Sequence, residues 1–153
     1  MMLKWFQYNW QVRDEWFHWC ENVPEEELLR KRVGGVGSIL QTLFHIVDVE
    51  WSWIRTIEGK PDFQEDFKSF MSLELVKKLS DSFHTEVEAF LQTWTPEMDG
   101  ILVTDSWGRE FTQGEILRHV IAHEIHHIGQ LSVWSRELGR VPVSPNFIDR
   151  GLR

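Results

Sequence analysis

A single cysteine, Cys20, occurs in 153 residues, so no disulfide can form within the chain, and the composition suits a reducing compartment. The chain also lacks any uncharged apolar run approaching the roughly 18 residues of a membrane-spanning helix. Its first residues, Met1-Met2-Leu3-Lys4-Trp5, show no basic region followed by an apolar stretch, so no signal peptide is expected. The cytoplasm is therefore the expected address, with no membrane as a partner. Positive charge is scarce: the net charge is −8 and the densest basic run is Arg30-Lys31-Arg32. Binding a polyanion requires a basic footprint, so nucleic acid is not an expected partner. Glycines cluster in Val33-Gly34-Gly35-Val36-Gly37, but this is not a GxGxxG phosphate loop and no strand precedes it, so it is given no nucleotide role. Internal repeats and low-complexity segments are missing as well.

What the chain does have is aromatic bulk. Nine tryptophans and ten phenylalanines accompany a hydrophobic fraction of 42% and a charged fraction of 26%. Aromatic side chains dominate burial energetics, so an aromatic core, and a subunit interface of the same character, are expected. The length fits one domain over residues 1–153, large enough to build its own core.

Apolar periodicity predicts four long helices. The first runs from about Leu3 to Cys20, with Leu3, Phe6, Trp10 and Phe17 on one face and Asn9 and Arg13 as polar oddities close to it. A short helix begins at Pro24-Glu25-Glu26-Glu27, where proline at the first helical position and acids in the first turn suit a helix start. The second long helix extends from the N-cap Ser38 to about Glu58, with Gly59 as C-cap. It is apolar over more than half its circumference and so needs more than one neighbour. Asp62 to Phe70 reads as a connection. The third long helix starts at Ser72 and ends before Thr95-Pro96. A short hairpin is expected between Gly100 and Phe111, turning near Ser106 to Gly108. Thr112 and Glu115 form a capping box that opens the fourth long helix, which Gly139 stops near Leu138. The segment from Val141 onward reads as an irregular tail.

Four of the seven histidines lie in the last helix, at His119, His123, His126 and His127. His123 and His127 are four apart, so their imidazoles project from one face, at the edge of a stripe formed by Ile116, Leu117, Val120, Ile128, Leu131 and Trp134. Such a pair is either two core-edge histidines bonded to carbonyls or two ligands of one transition metal, and zinc sites use this spacing. His119 and His126 rotate outward. His18 and His84 read as surface residues, and Cys20 as a small buried hydrophobe. Glu124 falls within the apolar stripe, an expensive place for an unpaired carboxylate. It is either a group supporting the histidines, as an acceptor or proton shuttle, or the partner of an arginine at a subunit interface.

His123-Glu124-Ile125-His126-His127 formally matches the H-E-x-x-H signature of zinc metalloproteases. The metzincin continuation fails, because Gln130 stands at the glycine and Val133 at the third ligand. Only Glu137 and Asp149 remain downstream as acids. A third ligand upstream is the better reading, and His45, in the middle of the most apolar helix, is the histidine placed for it. The stretches Tyr8-Asn9-Trp10, Ile39-Leu40-Gln41-Thr42-Leu43-Phe44-His45-Ile46-Val47-Asp48 and His123-Glu124-Ile125-His126-His127-Ile128-Gly129-Gln130 resemble the DinB/YfiT-like family of metal-dependent enzymes, over about Leu3 to Pro142.

The resemblance implies an all-α four-helix bundle with long crossover connections, commonly a homodimer. It also implies a metal site carried by His45, His123 and His127. Members with assigned activities transfer low-molecular-weight thiols such as bacillithiol or mycothiol, which implies a small-molecule electrophile as substrate and a thiol as co-substrate. Three imidazoles suit zinc or nickel, with iron also compatible. A metal-bound water, serving a hydrolase, is the related alternative. Asp48, one turn from His45, is either an acceptor orienting an imidazole or a solvated surface acid. The competing class is a non-catalytic dimeric bundle, metal-binding or stress-responsive.

Overall fold

A computed structural model of the chain describes residues 1–62 and 65–153. Its helices are α1 (Met2–Cys20), α2 (Glu25–Leu29), α3 (Ile39–Glu58), α4 (Leu73–Thr93) and α5 (Gln113–Glu137), with strands β1 (Leu102–Thr104) and β2 (Glu110–Thr112) just before α5. The all-α bundle expected from the sequence is the fold observed. Phe63 and Gln64, within the expected connection from Asp62 to Phe70, lie outside the described residues; the described part includes a 3-10 turn at Phe67–Ser69 capped by Asp66. Among the described residues no helix is long and apolar enough to cross a membrane.

Local chemistry accounts for the helix ends. Ser38 accepts from the Gln41 amide, and Gly59 closes α3 in the left-handed region at φ 69°, which a residue without Cβ adopts freely. Ser72 accepts from the Leu75 amide at the start of α4. Pro24 stands one residue earlier than expected, as the N-cap of α2. At α5 the Thr112 hydroxyl accepts from the Glu115 amide at 3.1 Å, while the Glu115 carboxylate reaches back to the Thr112 amide at 3.4 Å. Thr112→Ala is expected to lower stability by about 1 kcal/mol in urea denaturation, the usual cost of a lost cap.

The four long helices form a closed ring. Both α1 and α3 pack against α4 and α5, so α1 lies diagonally across from α3, and α4 from α5. The connections at 21–38 and 94–112 must therefore cross the bundle, which is why one carries α2 and a glycine loop and the other the antiparallel hairpin. In that hairpin Leu102, Val103 and Thr104 pair with Thr112, Phe111 and Glu110.

The interior is divided into two apolar clusters. One gathers Val12, Trp16, Phe17, Leu40, Leu43, Ile128, Leu131 and Trp134; the other gathers Phe6, Trp10, Ile54, Val87, Leu117 and Val120. Each long helix also contributes a buried polar residue to one bonded group: Arg13, Glu50, Ser80 and Glu124. Arg13 donates to Glu50 at 2.8 Å and 3.3 Å, to Ser80 at 3.4 Å and to Glu124 through Nε at 3.0 Å, and its Nη2 also pairs with Glu124 Oε1. Trp10 Nε1 adds a bond to Glu50 at 3.2 Å. Arg13, one of the two polar oddities of α1, is thus the hub of a layer that ties all four helices together, while the other, Asn9, donates to the Ile121 carbonyl at 3.4 Å. His84, expected at the surface, is half-buried and stacks on Trp10 with ring centroids 4.0 Å apart.

Candidate metal centre

Because α3 and α5 are neighbours, the inward edge of one meets that of the other, and His45 of α3 lies against His123 and His127 of α5. The Nε2 of His123 is 3.0 Å from that of His45 and 3.1 Å from that of His127. The three donor atoms lie within 4.8 Å of one another. The His45 ring stands at 64° to the His123 ring and at 89° to the His127 ring, so the nitrogens converge while the ring planes stay apart. His127 is buried, and His45 and His123 are half-buried.

This donor set fits a divalent transition metal. Nitrogens about 2.0–2.1 Å from one zinc ion at tetrahedral angles are about 3.3 Å apart, close to the 3.0 Å and 3.1 Å that separate His123 from His45 and from His127. Ligand imidazoles must also be neutral. Burial lowers all three pKa values, and mutual repulsion adds to this at His123, lowered to about 3, and His127, lowered to about 4. His123 alone would be shared between two imidazoles, although its Nε2 can donate only one proton; a cation at the point of convergence would satisfy all three lone pairs.

The same depression gives a pH prediction. In the unfolded chain these histidines protonate near 6.5, whereas in the fold His123 and His127 hold off until about 3 and about 4. Between those limits the unfolded state binds more protons, so folding stability falls as pH drops through the window. Metal-stripped protein melted at intervals from pH 7 to pH 4 is expected to lose stability progressively, and His127→Gln to flatten that dependence.

The other residues singled out in the sequence separate clearly. His119 and His126 are exposed, as expected; His119 packs edge-on against Trp53 at 5.9 Å. Asp48 is half-buried and accepts from Ser52 at 3.4 Å, and burial pushes its carboxyl up to about 6. Glu124 requires a correction. It faces the bundle interior, is 1% exposed, and both of its oxygens are engaged by Arg13, so among the described residues its bonds go to the arginine and not to a histidine, and it is not placed to act as a metalloprotease base. Its partner is the arginine of its own α1, not one across a subunit interface. Cys20 is buried, and burial pushes its thiol up to about 12.

Two features escaped the reading of the sequence. Glu50 lies with Val47 and Ile54 on the inner face of α3, and that spacing was the signal for it. The glycine loop, given no nucleotide role, does have a partner in Gln130, seven residues beyond His123. A methyl group on either Gly34 or Gly35 would fall within the space of the Gln130 amide, whose Cδ would lie 2.8 Å from a Cβ on Gly35.

Comparison with known proteins agrees with this architecture. The sequence profile of the DinB family matches residues 1–150. The protein YizA of Bacillus subtilis (strain 168) is 55% identical over 154 residues, covering 99% of this chain and 97% of that one. Among solved structures, a DinB-like protein from Bacillus cereus ATCC 10987 superposes with a TM-score of 0.70 at 22% identity, covering 94% of this chain and 93% of its own. The DinB-like protein YjoA from Bacillus subtilis gives 0.61 at 21% identity, covering 87% and 90%. At such identities the likeness to the two structures is one of fold.

Proposed function

From the premise that this chain belongs to the DinB family, we propose that it is a metal-dependent enzyme that joins a low-molecular-weight thiol to a small electrophilic substrate. The observation that carries this reading is the convergence of three neutral imidazole nitrogens, from His45, His123 and His127, on one point between α3 and α5. A divalent metal held by three histidines keeps a coordination position free, and it lowers the pKa of a water or thiol bound there. Zinc or nickel suits the all-nitrogen donor set best, with iron also compatible.

The three histidines and Asp48 have defined parts in the proposal. The three rings stay neutral at physiological pH because burial disfavours their charged forms. Asp48 lies one turn along α3 from His45, and a carboxyl with its pKa raised to about 6 can take up and release a proton near neutrality. We assign it the acceptance of the thiol proton at the carboxylate oxygen that Ser52 does not occupy. The sulfur then attacks the electrophilic carbon, forming a carbon–sulfur bond as the leaving group departs with the bond's electron pair. A reducing cytoplasm, where such thiols remain free, is the setting the proposal requires. Assembly as a homodimer belongs to the same proposal; a largely apolar groove of about 960 Å³, lined in part by Leu3, Trp5, Ile121 and Ile125, is a surface it would cover.

The test pairs thiols (bacillithiol, cysteine and glutathione) with alkyl halide and epoxide electrophiles, with conjugates followed by mass spectrometry. Metal-dependent conjugation that His127→Ala abolishes is the expected result. Conjugation indifferent to metal and to His127 would overturn the proposal. A protein that binds metal without turning over any pair would instead match the non-catalytic bundle.

A further inference from the structure

Of the three candidate ligands, His127 alone has an Nδ1 that is both sealed from solvent and without a hydrogen-bond partner among the described residues. Three residues on, on the adjacent turn of α5, the Oε1 of Gln130 is likewise buried and without a partner. Residues three apart on a helix share a face, so a buried group able to donate and a buried acceptor lie on one face of α5 without being bonded to each other. The amide is packed against a glycine pair: Gly34 and Gly35, both at positive φ (97° and 49°), bring the loop backbone against Gln130 where any side chain would displace it.

The proton position on His127 determines whether the two groups complete each other. In the structure its Nε2 is 3.1 Å from the Nε2 of His123, a contact in which one of the two nitrogens carries a proton. A ring that binds metal through Nε2 must carry its proton on Nδ1 instead, and a buried Nδ1–H without an acceptor is costly. We infer that Gln130 is the positioning residue for His127, its Oε1 accepting from Nδ1–H once Nε2 is committed to a metal, with the glycine pair as the cradle that keeps the amide in reach. The inference rests on the reading of His45, His123 and His127 as metal ligands. It gives a physical reason for Gly34 and Gly35, and it makes the tautomer of one ligand depend on a residue that does not touch the ion.

Zinc alone is the probe. Its affinity is measured by competition with a chromophoric chelator, and the His127 Nδ1–H is followed by NMR in ¹⁵N-histidine-labelled, zinc-loaded protein. Gln130→Leu, which removes the acceptor, is expected to weaken zinc binding about 10–100-fold, the usual effect of losing such a partner, and to move the Nδ1–H resonance upfield. Gln130→Glu, which keeps an acceptor, is expected to retain tight binding, and Gly35→Ala to behave like Gln130→Leu. Wild-type affinity in Gln130→Leu would overturn the inference, as would equal weakening in Gln130→Leu and Gln130→Glu. Should Gln130→Leu fail to fold, the wild-type spectrum decides: an exchange-protected, low-field His127 Nδ1–H supports the inference and a rapidly exchanging one overturns it. Wild-type protein that binds no zinc would instead remove the metal reading beneath it.

Discussion

Arg13→Met is expected to destabilise the protein by about 3–5 kcal/mol, the cost of removing one partner from a buried ionic cluster. Total stabilities of about 5–15 kcal/mol make that a large fraction of the fold's margin. The side chains of Arg13, Glu50 and Glu124 are each 2% exposed, so the cluster has almost no access to water. One guanidinium faces two carboxylates, and without it both are left in an apolar interior, Glu50 keeping the bond from Trp10 and Glu124 losing both of its bonds from Arg13. Burial already raises the Glu124 pKa, with Arg13 opposing the shift. Losing the arginine removes that opposition, so the variant's Glu124 carboxyl takes up a proton in the fold at a pH where the unfolded chain's does not. The destabilisation is therefore expected to shrink as the pH falls toward 5. Replacing Arg13, Glu50 and Glu124 together by apolar residues of similar volume is expected to recover most of the loss, since an ion cluster and a well-packed apolar layer are often comparable in stability. Urea denaturation of the single and triple variants at two pH values checks both statements. A single variant within 1 kcal/mol of wild type would show that the layer is not a stabilising tie between the helices.

The same layer marks how far the sequence could be read. Helix limits were legible because they are local: Ser38, Gly59, Ser72 and the Thr112–Glu115 box each act within one turn of the residue they cap. The inward histidines were legible for a related reason, since a four-residue spacing fixes which side chains share a face. Partner choice was not. Glu124 reads as buried from its place on the stripe, but nothing local distinguishes histidines from an arginine 111 positions away as its partner. Only the ring order, with α1 against α5, settles that. The glycine loop is a similar case: positive φ at Gly34 and Gly35 could be anticipated, but their contact with Gln130 depends on how residues 21–38 cross the bundle.

Loss of any one imidazole is expected to abolish stoichiometric metal binding, and His127→Ala is the sharpest case. Two donors remain in that variant, and His127 is the most buried of the three, so solvent does not readily replace it. Wild-type protein purified without a histidine tag is expected to hold a divalent metal in proportion to chain, and His127→Ala and His45→Ala to hold almost none. Stripping the wild type with a chelator and restoring zinc gives an independent measure, because a ligand that binds only the fold stabilises it by about 2.7 kcal/mol at a hundredfold excess over Kd. The wild-type melting temperature is expected to rise with added zinc, while that of His127→Ala stays in place. The exposed His119 and His126 supply the control: a His119→Ala or His126→Ala variant is expected to keep both the metal and the thermal shift. Equal sub-stoichiometric metal in wild type and His127→Ala would leave the cluster as three packed histidines. Retention by the His119 and His126 variants with loss by the other two would tie the ion to the point where α3 meets α5. The depressed basicity of His123 and His127 would then be the condition that keeps their lone pairs open to a cation at neutral pH.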